Sequence, residues 1–265
     1  MTSSRKPVPL PEVPPLSMER GIDYVFPMAW GVSDPVRFSA LMKEVIPLVG
    51  RSVHFADNLF TWGRNNSALE DPAFNRAWRD NILGKSDQTI VWRRYILATS
   101  ACHCVQLDGD FVECGVNAST GIKTVMDYLG GTAFPKRFWG YDTFDYHPGG
   151  RNMQGQDEGL FDRVTQRFAD YPQVRLVRGL LPDSFQDACP EQIAYLHIDL
   201  NNADGEIGCL EHLFDRVVPG GMLILDDYEW GGKYRAQKRA EDLWFQARNY
   251  RVIPLPTGQG LLIKR

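Results

Sequence analysis

Short apolar runs alternate with amphipathic segments through the second half of the chain, and this rhythm limits the possible folds more than any other feature. After Gly109 the runs are DFVECGV, RFWGYDTF, QVRLVRG, AYLHIDL and MLILDDY. Continuous apolar runs of this length are typical of strands buried on both faces of a parallel sheet. One intervening segment places Ile122, Val125, Met126 and Leu129 on one face of a helix. The pattern therefore predicts an α/β fold with a parallel sheet.

The C-terminal tail departs from this alternation. YRVIPLP and GQGLLIKR are separated only by Thr257, which with Gly258 makes a turn too short for a crossover helix. The two runs therefore predict an antiparallel hairpin on the sheet edge. Five parallel strands followed by such a hairpin form the Rossmann-like sheet of a class I methyltransferase, rather than a six-stranded dinucleotide-binding domain.

The chain divides into three predicted parts. Residues 1–16 contain five prolines, which block regular backbone hydrogen bonding and predict a flexible arm. Residues 17–108 are interpreted as a helical N-terminal extension that covers the cofactor as a lid, and residues 109–265 as the methyltransferase domain. Helical spacing in the extension recurs in two sets of apolar residues: Phe38, Leu41, Met42, Val45 and Ile46, then Ile90, Val91, Tyr95 and Ala98.

Charge and hydropathy exclude several classes of partner. The formal net charge is −4 and no long basic block is present, which argues against nucleic acid and against an anionic membrane. No apolar run approaches the roughly 20 residues of a membrane span, and the N-terminus lacks the apolar core of a signal peptide. We expect a soluble, cytoplasmic protein that acts on a small molecule. The arm and the long extension favour a homo-oligomer, with a dimer as the simplest form.

The first predicted strand ends in ECGVNASTG, where ligands bind in open parallel sheets. Glu113 and Gly115 lie at the turn, and Ser119 leads into a helix whose N-terminus favours a carboxylate. The GxGxxG fingerprint of dinucleotide-binding proteins is absent. An anion at Glu113 would repel a pyrophosphate and attract a cationic sulfonium compound that also carries an ammonium group. These properties predict S-adenosylmethionine as the cofactor.

The next two strand ends complete the predicted cofactor site. Asp142 follows the second strand, where an acidic residue can accept both ribose hydroxyls. Gly179 follows the third strand and allows close approach of the backbone, so the Arg178–Leu181 stretch either borders an adenine or forms an ordinary turn. The predicted cofactor-binding residues are Glu113, Gly115, Val116, Ser119, Asp142, Thr143, Phe144, Arg178, Gly179 and Asp199.

Three aspartates follow the fourth and fifth strands. Asp199 ends HIDLNN, and Asp226 and Asp227 end LILDDY. Because these strands are expected to be neighbours, the three carboxylates should meet at one edge of the sheet. All-oxygen ligation without thiolates predicts Mg²⁺, with Mn²⁺ or Ca²⁺ as alternatives. The competing interpretation is that Asp226 caps a helix and Asp227 is solvated.

Taken together, DFVECGV, YDTF, VRLVRG, LHIDLN, VPGGMLILDDY and PTGQGLLIK resemble the macrocin O-methyltransferase family over residues 109–265. The resemblance implies Mg²⁺-dependent transfer of a methyl group from S-adenosylmethionine to a hydroxyl, commonly on a sugar of a natural product or a surface glycan. It places Glu113, Gly115 and Asp142 at cofactor-binding positions. It places the metal at Asp199, Asp226 and Asp227.

The sequence departs from this family at the expected general base. Members often carry an acid, histidine or lysine two or three residues after the first metal aspartate, where this chain has Asn201 and Asn202. A neutral amide does not accept a proton at neutral pH, so Asn201 and Asn202 are assigned to orienting the acceptor beside Asp199 or to the outer shell of the metal. Deprotonation would then fall to the metal or to another base. The loop candidates for that base are His147, Asp204, Tyr228 and Lys233.

Two further expectations concern the surroundings of the site. His197 precedes Asp199 on the same strand and is interpreted as a hydrogen-bonded core histidine. Aromatic residues in the strand-end loops would form an acceptor platform: Phe144, Tyr146, Tyr228 and Trp230. The alternatives to an O-methyltransferase are a C- or N-methyltransferase on the same scaffold and a non-catalytic S-adenosylmethionine-binding protein. A nicotinamide oxidoreductase is disfavoured by the missing glycine fingerprint.

Overall fold

The computed structural model describes residues 7–13, 22–26, 29–146 and 156–265. Part of the proline-rich arm and the candidate base His147 lie outside these ranges. Within the described ranges, no helix combines the length and the apolar stretch that crossing a membrane would require.

The N-terminal extension combines helices with a small sheet. Its elements are β1 Tyr24–Val25, α1 Pro35–Val45, β2 His54–Ala56, β3 Leu59–Thr61, α2 Ser67–Glu70, α3 Pro72–Asn81, α4 Lys85–Gln88 and α5 Val91–Cys104. β2 pairs with β1 in parallel and with β3 in antiparallel orientation. Asp57 and Asn58, with φ of 54° and 52°, form the tight turn between β2 and β3. The extension is thus mainly helical, and its small sheet was not predicted because strands of two or three residues are too short to show a period.

The main sheet has the predicted layout. Its strands are β4 Asp110–Cys114, β5 Phe138–Asp142, β6 Val174–Arg178, β7 Ile193–Ile198, β8 Val217–Leu225, β9 Ile253–Pro254 and β10 Gly260–Ile263. They lie in the order β6-β5-β4-β7-β8-β10-β9. The first five are parallel, while β10 is antiparallel to both β8 and β9. The carboxyl ends of β4, β7 and β8 therefore lie side by side.

Helices cover both faces of this sheet. The crossover helices are α6 Thr120–Tyr128, α7 Leu160–Arg167 and α8 Ala203–Leu213, and α9 Tyr234–Gln246 precedes the hairpin. Short 3₁₀ turns occur at Ile46–Leu48, Gly131–Ala133, Asp183–Gln186 and Phe214–Arg216. One hydrophobic cluster contains Phe74 and Leu97 of the extension together with Phe111 and Ile122 beyond residue 109. The extension thus shares a core with the sheet, and the boundary at 109 stays a prediction.

Helices α1 and α5 differ in burial although both have apolar periodicity. Val91, Leu97 and Ala98 of α5 are fully buried against the sheet. None of the residues of α1 is buried. Periodicity thus located both helices correctly, but it did not distinguish a packed helix from an exposed one.

Candidate active site

The loop of residues 115–119 between β4 and α6, called the cofactor loop below, begins at Gly115. Gly115 has φ of +94°, and a Cβ atom there would lie 2.0 Å from the carbonyl oxygen of Asp199. Its N–H donates to the carbonyl of Tyr141 at 2.8 Å. Only glycine combines this backbone conformation with so close an approach. The cofactor loop is thereby held against the end of β7.

Asp142 joins the loops that follow three neighbouring strands. Its Oδ2 accepts the N–H of Asn117 at 2.7 Å, and its Oδ1 accepts the N–H of Phe144 at 2.7 Å. The carbonyl of Asp142 accepts the N–H of Gly179 at 2.9 Å. The side chain is only half-buried. This aspartate therefore organises the edge at which the sequence predicted a ribose.

Two polar atoms of the cofactor loop are buried without a hydrogen-bond partner among the described residues. They are Oδ1 of Asn117 and Oγ of Ser119. Ser119 is fully buried and immediately precedes α6. Buried polar atoms are usually hydrogen-bonded, and leaving them unpaired costs about 1–3 kcal/mol each. A polar ligand in the cofactor loop would remove this cost.

Glu113 is paired with His197. The two residues are aligned across β4 and β7, and Nδ1 of His197 lies 3.0 Å from Oε2 of Glu113. Both side chains are almost completely buried. A Cβ atom on Gly121 would lie 3.0 Å from each carboxylate oxygen of Glu113. The carboxylate that the sequence assigned to the ammonium group of the cofactor is thus already occupied by an imidazole.

The aspartates Asp199, Asp226 and Asp227, called the acidic cluster below, lie at the adjacent ends of β7 and β8. Arg93 of α5 enters this cluster from the extension. Its Nη2 donates to the carbonyl of Asp226 at 2.5 Å, to Oδ2 of Asp226 and to Oδ1 of Asp227 at 2.9 Å. Burial alone would lower the pKa of Arg93, but the negative charges of Asp226 and Asp227 outweigh it and raise the pKa. Arg93 is therefore a permanent cation here.

Both carboxylate oxygens of Asp226 have partners. Oδ1 accepts the amide of Gln259 at 2.8 Å and lies 3.3 Å from Nε2 of His197, while Oδ2 contacts Arg93. Burial would raise the pKa of Asp226, but Arg93 and His197 hold it well below its usual range. Burial likewise opposes the charged form of His197, and the neighbouring carboxylates nevertheless raise its pKa to about 10. The expectation of a hydrogen-bonded core histidine is confirmed.

Asp199 differs from the other two aspartates. Its Oδ1 accepts the amide of Asn201 at 3.1 Å, and Oδ1 of that amide accepts the hydroxyl of Tyr234 at 2.6 Å. Among the described residues, no cationic side chain forms an ion pair with Asp199. Burial and the charges of Asp226 and Asp227 raise its pKa well above the usual range. Asp199 is thus the carboxylate of the cluster without a cationic partner.

One ligand atom from each of His197, Asp199 and Asp226 lies within 4.8 Å of the other two. The structure therefore brings together Asp199 and Asp226 as predicted, with His197 in addition. Asp227 faces Arg93 at the same edge. The donors are those of a divalent cation site, but Arg93 already contacts two members of the cluster.

Several predicted residues have other environments. Phe144 is buried against Phe161 with ring centroids 5.0 Å apart, and Tyr228 is buried with its hydroxyl bonded to Asp242, so both are packing residues. The exposed Arg178 donates to the carbonyl of Thr143 at 3.2 Å. Val116 is buried in the core. Of the expected aromatic platform, Tyr146 and Trp230 are half-buried.

Sequence reasoning missed three residues of the site. Arg93, Gln259 and Tyr234 all contact the acidic cluster or Asn201, and each comes from a segment distant in sequence. Arg93 stands in an amphipathic helix, where an arginine normally indicates a solvated face. No acidic residue occupies the first turn of α5, so the local sequence contains no indication of a charge partner for Arg93.

Comparison with protein families and curated relatives agrees with this architecture. Residues 96–249 match the model of the macrocin-O-methyltransferase (TylF) family. The chain is 30% identical over 140 residues to the 8-demethyl-8-(2,3-dimethoxy-alpha-L-rhamnosyl)-tetracenomycin-C 4'-O-methyltransferase of Streptomyces olivaceus, covering 45% of this chain and 53% of the relative. It is 28% identical over 152 residues to the mycinamicin III 3''-O-methyltransferase of Micromonospora griseorubida, covering 48% and 60%. The chain thus spans about half the length of the curated relatives it matches.

Solved structures show the same fold. The O-methyltransferase NovP superimposes with a TM-score of 0.55 at 20% identity, covering 67% of this chain and 81% of NovP. The calicheamicin methyltransferase CalS11 gives a TM-score of 0.51 at 15% identity, covering 76% and 94%. The sheet order and these likenesses establish the class I methyltransferase fold, and the match over residues 96–249 shows that the chain belongs to the macrocin O-methyltransferase (TylF) family.

Proposed function

We propose that this protein transfers a methyl group from S-adenosylmethionine to a hydroxyl of a small molecule, with a sugar of a natural product or glycan as the acceptor class. The observation that carries the proposal is the family match, which extends over more than half of the chain. The names of both curated relatives describe O-methyltransferases, and the name of the first includes a rhamnosyl group in its substrate.

The cofactor loop supports S-adenosylmethionine. This cofactor supplies an electrophilic methyl group on a positively charged sulfur. The unpartnered Oδ1 of Asn117 and Oγ of Ser119 offer buried hydrogen-bonding atoms to a polar ligand, and Gly115 keeps the loop clear of side chains. Asp142 presents a half-buried carboxylate at the neighbouring strand end. These residues would bind and orient the cofactor between β4 and β5.

The reaction requires that the two reactants are aligned and that a base accepts the hydroxyl proton. The acceptor oxygen forms a bond to the methyl carbon while the carbon–sulfur bond breaks, and the hydroxyl proton passes to a base. Holding two reactants in line can supply several kcal/mol of the barrier. Asp199 is the candidate base in our proposal: without a cationic partner among the described residues its pKa is raised, so its ionised form would accept the proton readily, and Asn201 would orient it through their 3.1 Å hydrogen bond.

Whether the acidic cluster can bind Mg²⁺ depends on the position of Arg93. The acidic cluster provides oxygen donors of the kind that Mg²⁺ prefers, at metal–oxygen distances of about 2.0–2.1 Å. Nη2 of Arg93 already lies 2.5 Å from the carbonyl of Asp226 and 2.9 Å from Oδ1 of Asp227. A divalent ion bound by these two residues would have to displace the guanidinium. The folded cluster therefore does not fit Mg²⁺ with Arg93 in place, and no step of the proposed reaction depends on this ion.

The proposed function is tested in two steps. Isothermal titration with S-adenosylhomocysteine measures cofactor-product binding, and a coupled assay then measures its release during incubation with S-adenosylmethionine and a panel of glycosides, phenols and amines. We expect saturable binding and turnover with a glycoside. Asp199→Asn should bind the cofactor product within a few-fold of wild type and lose turnover.

Each outcome separates one alternative. Turnover with an amine alone would replace O-methylation by N-methylation. Binding without turnover on any acceptor would favour a non-catalytic S-adenosylmethionine-binding protein. Absence of binding would overturn the proposed function. The cytoplasmic location and the homo-oligomeric state stay predictions, which fractionation and sedimentation would measure.

A further inference from the structure

Arg93 occupies the acidic cluster in the manner of a small cation. A single nitrogen, Nη2, contacts three oxygen atoms of two consecutive residues, the carbonyl and Oδ2 of Asp226 and Oδ1 of Asp227. The side chain is 8% exposed, so water contributes little to its neutralisation. Convergence of several oxygens on one point is the arrangement that a divalent metal would otherwise impose.

The backbone of Arg93 is fixed from the extension. Asp57, in the turn between β2 and β3, accepts the N–H of Trp92 at 3.1 Å and the N–H of Arg93 at 3.0 Å. Asp57 is 2% exposed and thus acts as a buried cap for the first turn of α5. Trp230 lies beside the guanidinium, 5.7 Å from its central carbon to the ring centroid. Both the backbone and the guanidinium of Arg93 are therefore held in place.

The position of Arg93 in α5 does not by itself favour a buried positive charge. Arg93 is the third residue of α5, where the helix dipole disfavours a positive charge. The guanidinium is also buried, which costs free energy unless a charge partner compensates. The charges of Asp226 and Asp227 are the largest contributions that offset these penalties. The buried charge of Arg93 is therefore stabilised by its contact with the acidic cluster, and not by its position in α5.

We propose that Arg93 is the resident cation of the acidic cluster, that it takes the place of a divalent metal at Asp226 and Asp227, and that methyl transfer by this protein is metal-independent. Arg93 is a positioning residue: it holds the two buried carboxylates and leaves the half-buried Asp199 as the member of the cluster without an ion-pair partner among the described residues. The inference rests on the proposed function, because it assigns a role within that site.

The test measures metal binding directly. Wild type, Arg93→Gln, Arg93→Lys and the control Arg76→Gln are titrated with Mg²⁺ by calorimetry, each with and without S-adenosylhomocysteine. Arg76 is an exposed arginine of α3 and controls for loss of one positive charge from the extension. We expect no saturable Mg²⁺ binding to wild type, to Arg93→Lys or to Arg76→Gln. Arg93→Gln should bind Mg²⁺ saturably, at least tenfold more tightly than the weakest affinity that the titration of wild type would detect.

Thermal unfolding gives a second measurement on the same proteins. Mg²⁺ should raise the Tm of Arg93→Gln and leave that of wild type unchanged, and a purely structural role for Arg93 would not produce this metal-specific rescue. Saturable one-to-one binding of Mg²⁺ to wild type would overturn the proposal, even if Arg93→Gln failed to fold. A folded Arg93→Gln that gains no Mg²⁺ affinity would also overturn it.

The proposed function and the inference about Arg93 can fail independently of each other. If wild type does not bind S-adenosylhomocysteine, the methyltransferase assignment fails, while the Mg²⁺ titrations without that ligand still decide whether Arg93 excludes the metal. If wild type binds S-adenosylhomocysteine and also binds Mg²⁺, the methyltransferase assignment stands and the metal-independent interpretation fails.

Discussion

The two sides of the site neutralise their carboxylates by different means. On the β4–β5 side, Asp142 is half-buried and accepts hydrogen bonds from the backbone N–H groups of two loops. On the β7–β8 side, Asp226 and Asp227 are buried and are paired with the guanidinium of Arg93. Within the described part of the chain, the first side has unpartnered oxygens at Asn117 and Ser119. On the second side the unpartnered atoms are nitrogens, Nε of Arg93 and Nε2 of His197, while both carboxylates are ion-paired.

This difference indicates a division of labour. A site that leaves buried polar atoms unpaired is prepared for a ligand, because ligand binding removes an existing cost. A site whose ions are already paired gains little from another cation and loses much when one partner is removed. Ligand binding should therefore depend mainly on the β4–β5 side, and folding stability mainly on the β7–β8 side.

Removing Asp226 should have the largest effect on stability. Asp226→Ala leaves Arg93, His197 and Gln259 without their shared acceptor. Loss of one member of a buried ion pair costs about 3–5 kcal/mol, and for a chain of this size the Tm should fall on the order of 10 °C. Thermal unfolding measures the change. Asp170→Ala, which removes an exposed aspartate, should stay within about 0.5 kcal/mol of wild type, and an equal loss in both variants would contradict the comparison.

The raised pKa of His197 predicts that the free energy of unfolding depends on pH. The folded-state pKa of the imidazole is about 10, against 6.5 for the ordinary side chain. A pKa raised on folding stabilises the protein fully below the unfolded value, and this contribution is lost as the pH rises towards the folded value. The difference in unfolding free energy between wild type and His197→Gln should therefore shrink by up to a few kcal/mol across that window.

Urea unfolding of both proteins at several pH values between 6.5 and about 10 measures this difference. His103→Gln provides the control, because His103 is exposed and its Nε2 lies 2.9 Å from the backbone carbonyl of Gly220. A constant difference between wild type and His197→Gln over the whole window would show that His197 is neutral in the folded protein. The β7–β8 side would then contain one built-in cation instead of two.

Substitution of Asp142 should affect ligand affinity more than folding stability. Asp142→Ala removes the acceptor of two loop N–H groups, so affinity for S-adenosylhomocysteine should fall at least tenfold, or about 1.4 kcal/mol. The unfolding free energy should fall by only about 1 kcal/mol, as for an ordinary hydrogen bond. Asp142→Asn keeps one carbonyl oxygen and should lie between wild type and alanine. A large loss of stability with unchanged affinity would reverse the division of labour.

Much of the fold was predictable because it depends on local pattern. Each of β4 to β8 overlaps a predicted apolar run, and Asp199 and Asp226 were located from the rule that parallel strands end at one edge. Arg93 was not predictable, since its partner Asp226 lies 133 positions away and nothing in VWRRYIL distinguishes a buried arginine from a solvated one. Asp57 was missed for the same reason, because its cap bridges a turn to a later helix.

Glu206 gives the smallest expected effect and concerns two neighbouring buried carboxylates, Glu206 and Glu241, instead of an ion pair. Glu206 of α8 is fully buried, accepts the N–H of Leu200 at 3.2 Å and lies beside the buried Glu241 of α9. Burial, followed by the proximity of Glu241, raises the pKa of Glu206 well above its usual range, so the folded protein favours the protonated form. Above the unfolded pKa of about 4.3, ionisation of the unfolded chain therefore favours unfolding.

Glu206→Gln keeps an acceptor for Leu200 and removes this ionisation, so we expect it to stabilise the protein by about 1 kcal/mol at neutral pH and to have no effect below the unfolded pKa. Urea unfolding at acidic and neutral pH measures both values, with the exposed Glu211→Gln as the matched control. Equal stabilisation at both pH values would show that packing, and not ionisation, is responsible. A loss of stability at neutral pH would mean that Glu206 is ionised in the folded protein and that a cation compensates it. The built-in neutralisation of the β7–β8 side would then extend beyond Asp226 and Asp227.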